Sequence, residues 1–352
     1  MEIVLYILYF LASITVIGFT TYLRTTKPPI LPVFQCARFS LCESELTLAF
    51  SSYAVLVPNL LTAYVWKPQN LKTKYNAKWA FVSGGSQGLG RAISEKLASQ
   101  GLNVVICALD NDFLKTTTAD LRARYPAQEF RAVGVDLGTS DHQNGQDYMA
   151  KIIAATSDID VQVVFNNAGY LVMRGFIKSE ITTHLKNLET NSISHMRVTH
   201  HFMKLMVEKK LRGCFVFTSS PTGFFPAPSN VLYASSKAFL IHFAQCLACE
   251  ASNYGIDILV SNMGPMNTAF YSDTKNVPKI GTLDFFHKIQ STPVECADVL
   301  LSSIGRITVR DHSGYTVFNR ILLRILDANW LIPIIAFAAP MTADFKKNPD
   351  LI

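Results

Sequence analysis

Trp79-Ala80-Phe81-Val82-Ser83-Gly84-Gly85-Ser86-Gln87-Gly88-Leu89-Gly90 is the stretch on which the fold turns. Its first four residues form a short apolar run bounded by a glycine cluster, which reads as a buried strand. Residues 91–99 follow as an amphipathic helix, with Ile93 and Leu97 at i and i+4 on one face. A second apolar run, Asn103-Val104-Val105-Ile106-Cys107-Ala108, completes a βαβ unit. Glycines allow the backbone to approach a pyrophosphate, and a helix N-terminus supplies free N–H groups and positive dipole character. A glycine loop alone is weak; placed between strand and helix it reads as a nucleotide cradle.

Working outward, the same alternation continues. Residues 130–135 form a strand ending at Asp136, and residues 161–165 one ending in Asn166-Asn167-Ala168-Gly169. A long helical stretch over 183–208 contains Asn191. Residues 214–218 lead to Ser219-Ser220, and residues 257–261 lead to Met263-Gly264-Pro265-Met266-Asn267-Thr268. Alternating βα units with apolar strands give an α/β class, a Rossmann-like doubly wound parallel sheet. Ligands in such folds sit beyond the carboxyl ends of the strands, where these marked residues fall.

Between the last two strands stands Tyr233-Ala234-Ser235-Ser236-Lys237. At i and i+4 on a helix, Tyr233 and Lys237 lie on one face. A phenol titrates near pH 10, about three units above neutrality. A neighbouring ammonium is expected to lower that value and make Tyr233 usable as an acid or base. The spacing by itself is common and would suit an exposed Tyr beside a solvated Lys.

Taken together, residues 78–268 resemble the short-chain dehydrogenase/reductase family. Its T-G-x-x-x-G-x-G loop corresponds to Ser83–Gly90, with Ser83 in place of Thr, and its N-N-A-G stands unchanged at Asn166 to Gly169. Its Tyr-x-x-x-Lys corresponds to Tyr233 and Lys237, its catalytic Ser to Ser220 and its helix Asn to Asn191. Its P-G-x-x-x-T loop corresponds to residues 263–268, with Met263 in place of Pro. The resemblance implies hydride transfer between a nicotinamide and a carbonyl carbon. Tyr233 would protonate the carbonyl oxygen. Lys237 would lower the Tyr pKa and hold the nicotinamide ribose. Ser220 would donate to the developing oxyanion. Asn191 would hold a water that relays protons to Lys237.

The resemblance places coenzyme contacts at Ser83, Gly84, Ser86, Gln87, Gly88, Leu89 and Gly90 of the loop, and at Asp110, Asp136 and Leu137. It adds Asn167, Ala168, Gly169, Tyr233, Lys237, Gly264 and Thr268. Relatives that use NADPH often carry Arg where Leu109 stands; Asp110 comes late for a ribose ligand, and Arg91 reads either as a phosphate contact or as a solvated helix residue. NADP(H) is favoured slightly over NAD(H). No metal ligands are expected: the seven Cys are scattered, and Cys246 and Cys249 fall in an apolar helix, where they read as small core residues.

Composition points to a membrane. Only 16% of residues are charged while 49% are hydrophobic, and the net charge is +6. Residues 3–23 carry no charge and suffice to span a bilayer, which takes about 20 residues. Residues 46–66 form a second uncharged run that reads as a span, a re-entrant hairpin or an interfacial helix. Lys67, Lys72, Lys74 and Lys78 then form a basic cluster, which places the following domain on the cytosolic side.

The organisation expected is a transmembrane anchor over 1–24, a second apolar juxtamembrane region over 25–77, the catalytic domain over 78–320 and an apolar tail over 321–352. A helix should start at Pro293. The run at 330–340, broken by Pro333, reads either as an interfacial segment beside the substrate entrance or as a buried C-terminal helix. This combination loosely resembles the branch of microsomal very-long-chain 3-oxoacyl-CoA reductases and 17β-hydroxysteroid dehydrogenases. That implies a lipid-like substrate at the endoplasmic reticulum membrane, and a homodimer through the helices bearing Asn191 and Tyr233. The competing class is a non-catalytic membrane scaffold, whose mark would be lost active-site residues; all four stand here. Nucleic-acid binding is disfavoured, since no recognisable module carries a basic stripe.

Overall fold

The computed structural model describes residues 55–139, 147–271, 277, 278, 281 and 290–351. The expected span at 3–23 lies outside them. Strand β1 (Trp79–Ser83) has every residue buried and forms the middle of a parallel sheet. The other strands are β2 (Asn103–Ala108), β3 (Phe130–Gly134), β4 (Val161–Asn166), β5 (Gly213–Ser219), β6 (Ile256–Asn262) and β7 (Val309–Asp311). Their order is β3-β2-β1-β4-β5-β6-β7. β1 pairs with β2 through Ala80 and Val104, and with β4 through Phe81 and Val164. The chain therefore winds outward from β1, returns, and winds the other way, leaving a crevice at the carboxyl ends of β1 and β4.

In chain order the helices are α1 (Val55–Val65), α2 (Leu71–Tyr75), α3 (Gly88–Ser99), α4 (Asp112–Arg124), α5 (Tyr148–Thr156), α6 (Ile181–Leu188) and α7 (Ser194–Glu208). After them come α8 (Val231–Ala251), α9 (Pro293–Ser303), α10 (Gly314–Ile325), α11 (Ala328–Ala338) and α12 (Ala343–Lys347). Side chains leave a strand on alternate faces, so β1 feeds two core layers. Ala80 and Val82 join Ile93, Leu97 and Leu300 on one side; Phe81 joins Phe202, Met206 and Leu240 on the other. α9 starts as expected at Pro293, with Thr292 before it and Glu295 after it forming a capping box.

Three elements differ from their sequence reading. The stretch around Asn191 is two helices joined by a π turn, Glu189–Ile193, because the side chains of Asn187 and Asn191 both reach the Tyr170 backbone. Such turns recur at functional sites. β7 was not foreseen: its Arg310 and Asp311 are residue types that are rarely buried, yet both are buried here. The described part of the second uncharged run, α1, packs on the catalytic domain. Val55, Leu56 and Leu60 meet Val317 and Ile321 of α10. Buried Asn59 accepts from Arg310 and from the Asp311 N–H, the latter at 2.9 Å. Ser302 donates to the Thr62 carbonyl at 2.6 Å. Residues 46–54 lie outside the described residues.

Among the described residues one helix is long and apolar enough to cross a membrane, Val231–Tyr254. It is α8, whose Leu240 and Ala244 are buried against the sheet. Cys246 and Cys249, expected in the core, lie exposed on its outer side. The opposite side of the same helix takes the sheet contacts.

Candidate active site

The crevice is built from the ends of β1, β4, β5 and β6. Ser83 ends β1 with all of its hydroxyl capacity used. It donates to the Phe165 carbonyl at 3.3 Å and accepts from the N–H groups of Asn167 at 2.9 Å and Ala168 at 3.1 Å. A hydroxyl is all this knot requires, so Ser serves where the family pattern has Thr. Asn167 extends the knot, donating to the Ser83 carbonyl and accepting from the Thr218 hydroxyl at 3.1 Å.

The glycine turn then fits a pyrophosphate on its own geometry. Gly84 has φ +64°, and a Cβ at Gly90 would stand 2.1 Å from the Gly84 carbonyl oxygen. Only glycines permit this approach. Gln87, at the N-cap of α3, makes no side-chain cap bond, so its side chain leaves the first-turn N–H groups available to an anion. Ser86 is tied to α4 by Thr117, whose hydroxyl donates to its carbonyl at 2.8 Å. Leu89 is buried behind the turn. Thr268 closes the other side, its methyl 3.0 Å from where a Gly88 Cβ would be. Gly264 backs onto Ser313, 2.5 Å from its own would-be Cβ.

The remaining coenzyme candidates divide. Leu109 and Asp110 are exposed at the end of β2, and the N-cap of α4 is Asn111, not Asp110. Arg91 is held by Asp120 at 2.7 Å. Asp136 is bound by Lys186 at 2.7 Å and accepts from the Gly138 N–H. Leu137 belongs to the core layer. Gly169 lies under Phe270, 3.3 Å from its would-be Cβ.

The chemical groups converge from three elements. Ser220 follows β5 and caps a short turn, its hydroxyl 3.0 Å from that of Thr222. Gly223 in that turn comes within 2.8 Å of the Ala238 N, measured from a would-be Cβ, which seats the Ser220 loop on α8. Tyr233 and Lys237 stand one turn apart on α8, with the Lys237 Nζ 5.4 Å from the Tyr233 ring centre. The Lys237 ammonium donates to the Thr218 carbonyl at 2.9 Å. Asn191 accepts from the Tyr170 N–H at 2.8 Å and donates to the Tyr170 carbonyl and to Asn187. Both amide hydrogens are thereby spent, one on the loop after Gly169 and one on Asn187, so a relay water would bind another atom of that turn.

Electrostatics correct one expectation. The Tyr233 phenol sits above its ordinary range, not below it: burial raises it, Tyr271 adds to that, and its hydrogen bond from Ser220 pulls the other way. Burial also lowers Lys237 to about 7. Spacing put the ammonium beside the phenol, but removing both from water disfavours both charged forms. The phenol is therefore poised as a proton donor. Nearby His195, one turn beyond Asn191, is buried and held to about 3 by burial and by the charge of Lys237. Thr218 and the aromatic pair Phe270 and Tyr271, which flank Lys237 and Tyr233, carried no motif that would have marked them.

The profile of the short chain dehydrogenase family matches residues 78–277. This chain belongs to that family. It is an oxidoreductase acting on carbonyl or hydroxyl groups. It is 28% identical over 240 residues to a 7β-hydroxysteroid dehydrogenase of Collinsella aerofaciens, covering 67% of this chain and 86% of that one. It is 31% identical over 212 residues to a very-long-chain 3-oxoacyl-CoA reductase of Pyricularia oryzae, covering 59% of this chain and 61% of that protein. A solved 7β-hydroxysteroid dehydrogenase superposes with a TM-score of 0.66 at 24% identity, covering 76% of this chain and all of that one.

Proposed function

We propose that this oxidoreductase is anchored in the endoplasmic reticulum membrane, faces the cytosol and interconverts a carbonyl and a hydroxyl on a lipid-like substrate. A single observation carries the chemistry: Ser220, Tyr233 and Lys237 meet beside a glycine cradle that fits a dinucleotide. A nicotinamide held there supplies or accepts the hydride. In the reductive direction Tyr233, kept protonated by burial, gives its proton to the substrate oxygen. Ser220 steadies that oxygen and the phenol together, and Lys237, anchored on Thr218, holds the ribose side of the site.

The uncharged run at 3–23 and the Lys cluster after residue 66 support the anchor and its orientation. The names of the steroid and long-chain acyl relatives support an apolar substrate. A homodimer through α7 and α8 is supported by Met196 and Phe239, which are exposed on those helices. NADP(H) is the coenzyme proposed, with a narrow preference. Solved structures of the same fold that hold NADPH support it, while exposed Asp110 and the pairing of Arg91 with Asp120 keep the margin narrow.

Detergent-solubilised protein titrated with NADPH and NADH should bind both, and Leu109→Arg should widen the margin for NADPH. Turnover of long-chain 3-oxoacyl-CoA and ketosteroids should fall about 10²- to 10⁴-fold in Tyr233→Phe, with coenzyme affinity retained. Failure to bind either coenzyme, or full turnover by Tyr233→Phe, would sink the reading.

A further inference from the structure

Helix α11, residues Ala328-Asn329-Trp330-Leu331-Ile332-Pro333-Ile334-Ile335-Ala336-Phe337-Ala338, has no charged residue and not one buried residue. Trp330 is 74% exposed, Phe337 70% and Ile334 57%. Scattered apolar side chains on a surface need no explanation, but a whole apolar helix turned outward marks a contact with something apolar. Its position says what that contact is for. The segment Gly314–Leu323 bends by 119° into Ala328–Met341. From there on, residues 314–351 touch three of the segments that leave the active site, those following β4, β5 and β6. α10 lies against the Pro221–Gly223 turn next to Ser220. Asp344 accepts from the Gly281 N–H at 2.6 Å, in the loop that follows Thr268. The Gly175 N–H donates to the Asp350 carbonyl at 2.7 Å, in the loop that follows Gly169. Beside that last bond, Phe176 and Ile177 extend the exposed apolar surface.

We infer that α11 is a membrane-docking helix that seats the mouth of the active site on the bilayer, so that substrate passes from lipid to Tyr233 without crossing water. This rests on the membrane-anchored reading and deepens it. Three observations select a bilayer over other occupants. The chain N-terminal to the described residues contains the uncharged run at 3–23, and it enters the domain at α1. α1, the first described helix after that run, packs directly on α10, the helix that leads into α11, so the chain arrives at the same edge of the domain from which α11 departs. Exposed Lys346 and Lys347 on α12 flank α11, where they suit anionic headgroups. An apolar helix with Trp at one end and Lys beyond the other fits the boundary between headgroups and acyl chains.

The test uses the full chain reconstituted into phosphatidylcholine–phosphatidylserine vesicles whose acyl chains are brominated near the headgroup. Comparing wild type with the mild Trp330→Phe variant isolates the Trp330 signal from those of Trp66 and Trp79. Strong bromine quenching of that signal is expected, together with protection from aqueous acrylamide. In the same vesicles, Ile334→Asp with Phe337→Asp should raise KM several-fold for a bilayer-resident ketone and leave a water-soluble ketone unchanged. Flotation separates the two readings: a chain that does not float loses the anchor itself. A chain that floats with Trp330 quenched by acrylamide and not by bromine loses only the docking helix. Trp330 protected in detergent in proportion to protein concentration would assign α11 to a second copy and overturn the inference.

Discussion

Helices α8 and α11 are both apolar, and the molecule treats them in opposite ways. α8 has the length and hydropathy of a membrane span, yet it lies against β5 and β6 with Leu240, Ala244 and Ala251 fully buried. α11 carries no charge and has no buried residue, only Leu331 and Ile335 being half-buried. Hydropathy measures the gain on leaving water, which is the same whether the new surroundings are a sheet or a lipid. What separates the two helices is the company each keeps. α8 also bears Lys237 on its inward side, which donates to the Thr218 carbonyl at the end of β5, and its Ser236 carbonyl accepts from the Ser192 hydroxyl of the π turn. Polar groups that match a specific site fix a helix in a protein; a helix without them accepts any apolar surface.

Matched substitutions break that comparison most directly. Leu240→Asp on α8 buries a charge without a partner and should cost more than about 4 kcal/mol, enough to prevent stable folding. Next in size is Asn59→Ala on α1, the apolar helix that does belong to the domain. It takes one acceptor from buried Arg310 and unpairs the Asp311 N–H, and should lower stability by about 1–3 kcal/mol while kcat in the folded fraction is unchanged. Chemical denaturation checks both, and an unaltered midpoint for Asn59→Ala would detach α1 from the domain.

A pH-dependent effect is expected at Lys237. Its folded value of about 7 lies below its ordinary 10.5, so between those values the unfolded chain binds more protons and stability rises with pH. Lys237→Met should therefore raise Tm over wild type most at pH 7 and below, the gain fading towards pH 10, while turnover is lost. Coenzyme-free thermal scans at pH 6 and pH 10 decide it; a larger gain at pH 10 would reverse the sign. Smallest of all is Ile334→Asp on α11, which should stay within about 0.5 kcal/mol in detergent. A loss as large as that of Leu240→Asp would mean α11 is packed after all.

Much of the site could be read before the fold. The glycine turn, Asn167 to Gly169, and the Ser220, Tyr233 and Lys237 set are local patterns whose residue types answer steric or chemical demands. Gly90 stands where nothing larger fits, and Ser83 where one hydroxyl must serve three partners. Other features left no local mark. β7 holds Arg310 and Asp311, which look like solvent residues until Asn59, Asn262 and Arg320 arrive from elsewhere in the chain. The π turn depends on Asn187 and Asn191 meeting Tyr170. Cys246 and Cys249 looked like core because the run around them is apolar, though only one side of α8 meets the sheet.

Legible in the sequence alone were the first six strands in their order, the glycine turn between strand and helix and the candidate reacting groups. These follow from side-chain size, period and hydroxyl, phenol or amine chemistry, all carried within a few residues. Only the tertiary structure decided that the Tyr233 phenol is held protonated, that Lys237 titrates near neutrality, that α1 joins the domain and that α11 faces outward. Each of those is a matter of burial and of partners, which belong to the assembled neighbourhood of a residue and to no single stretch of the chain.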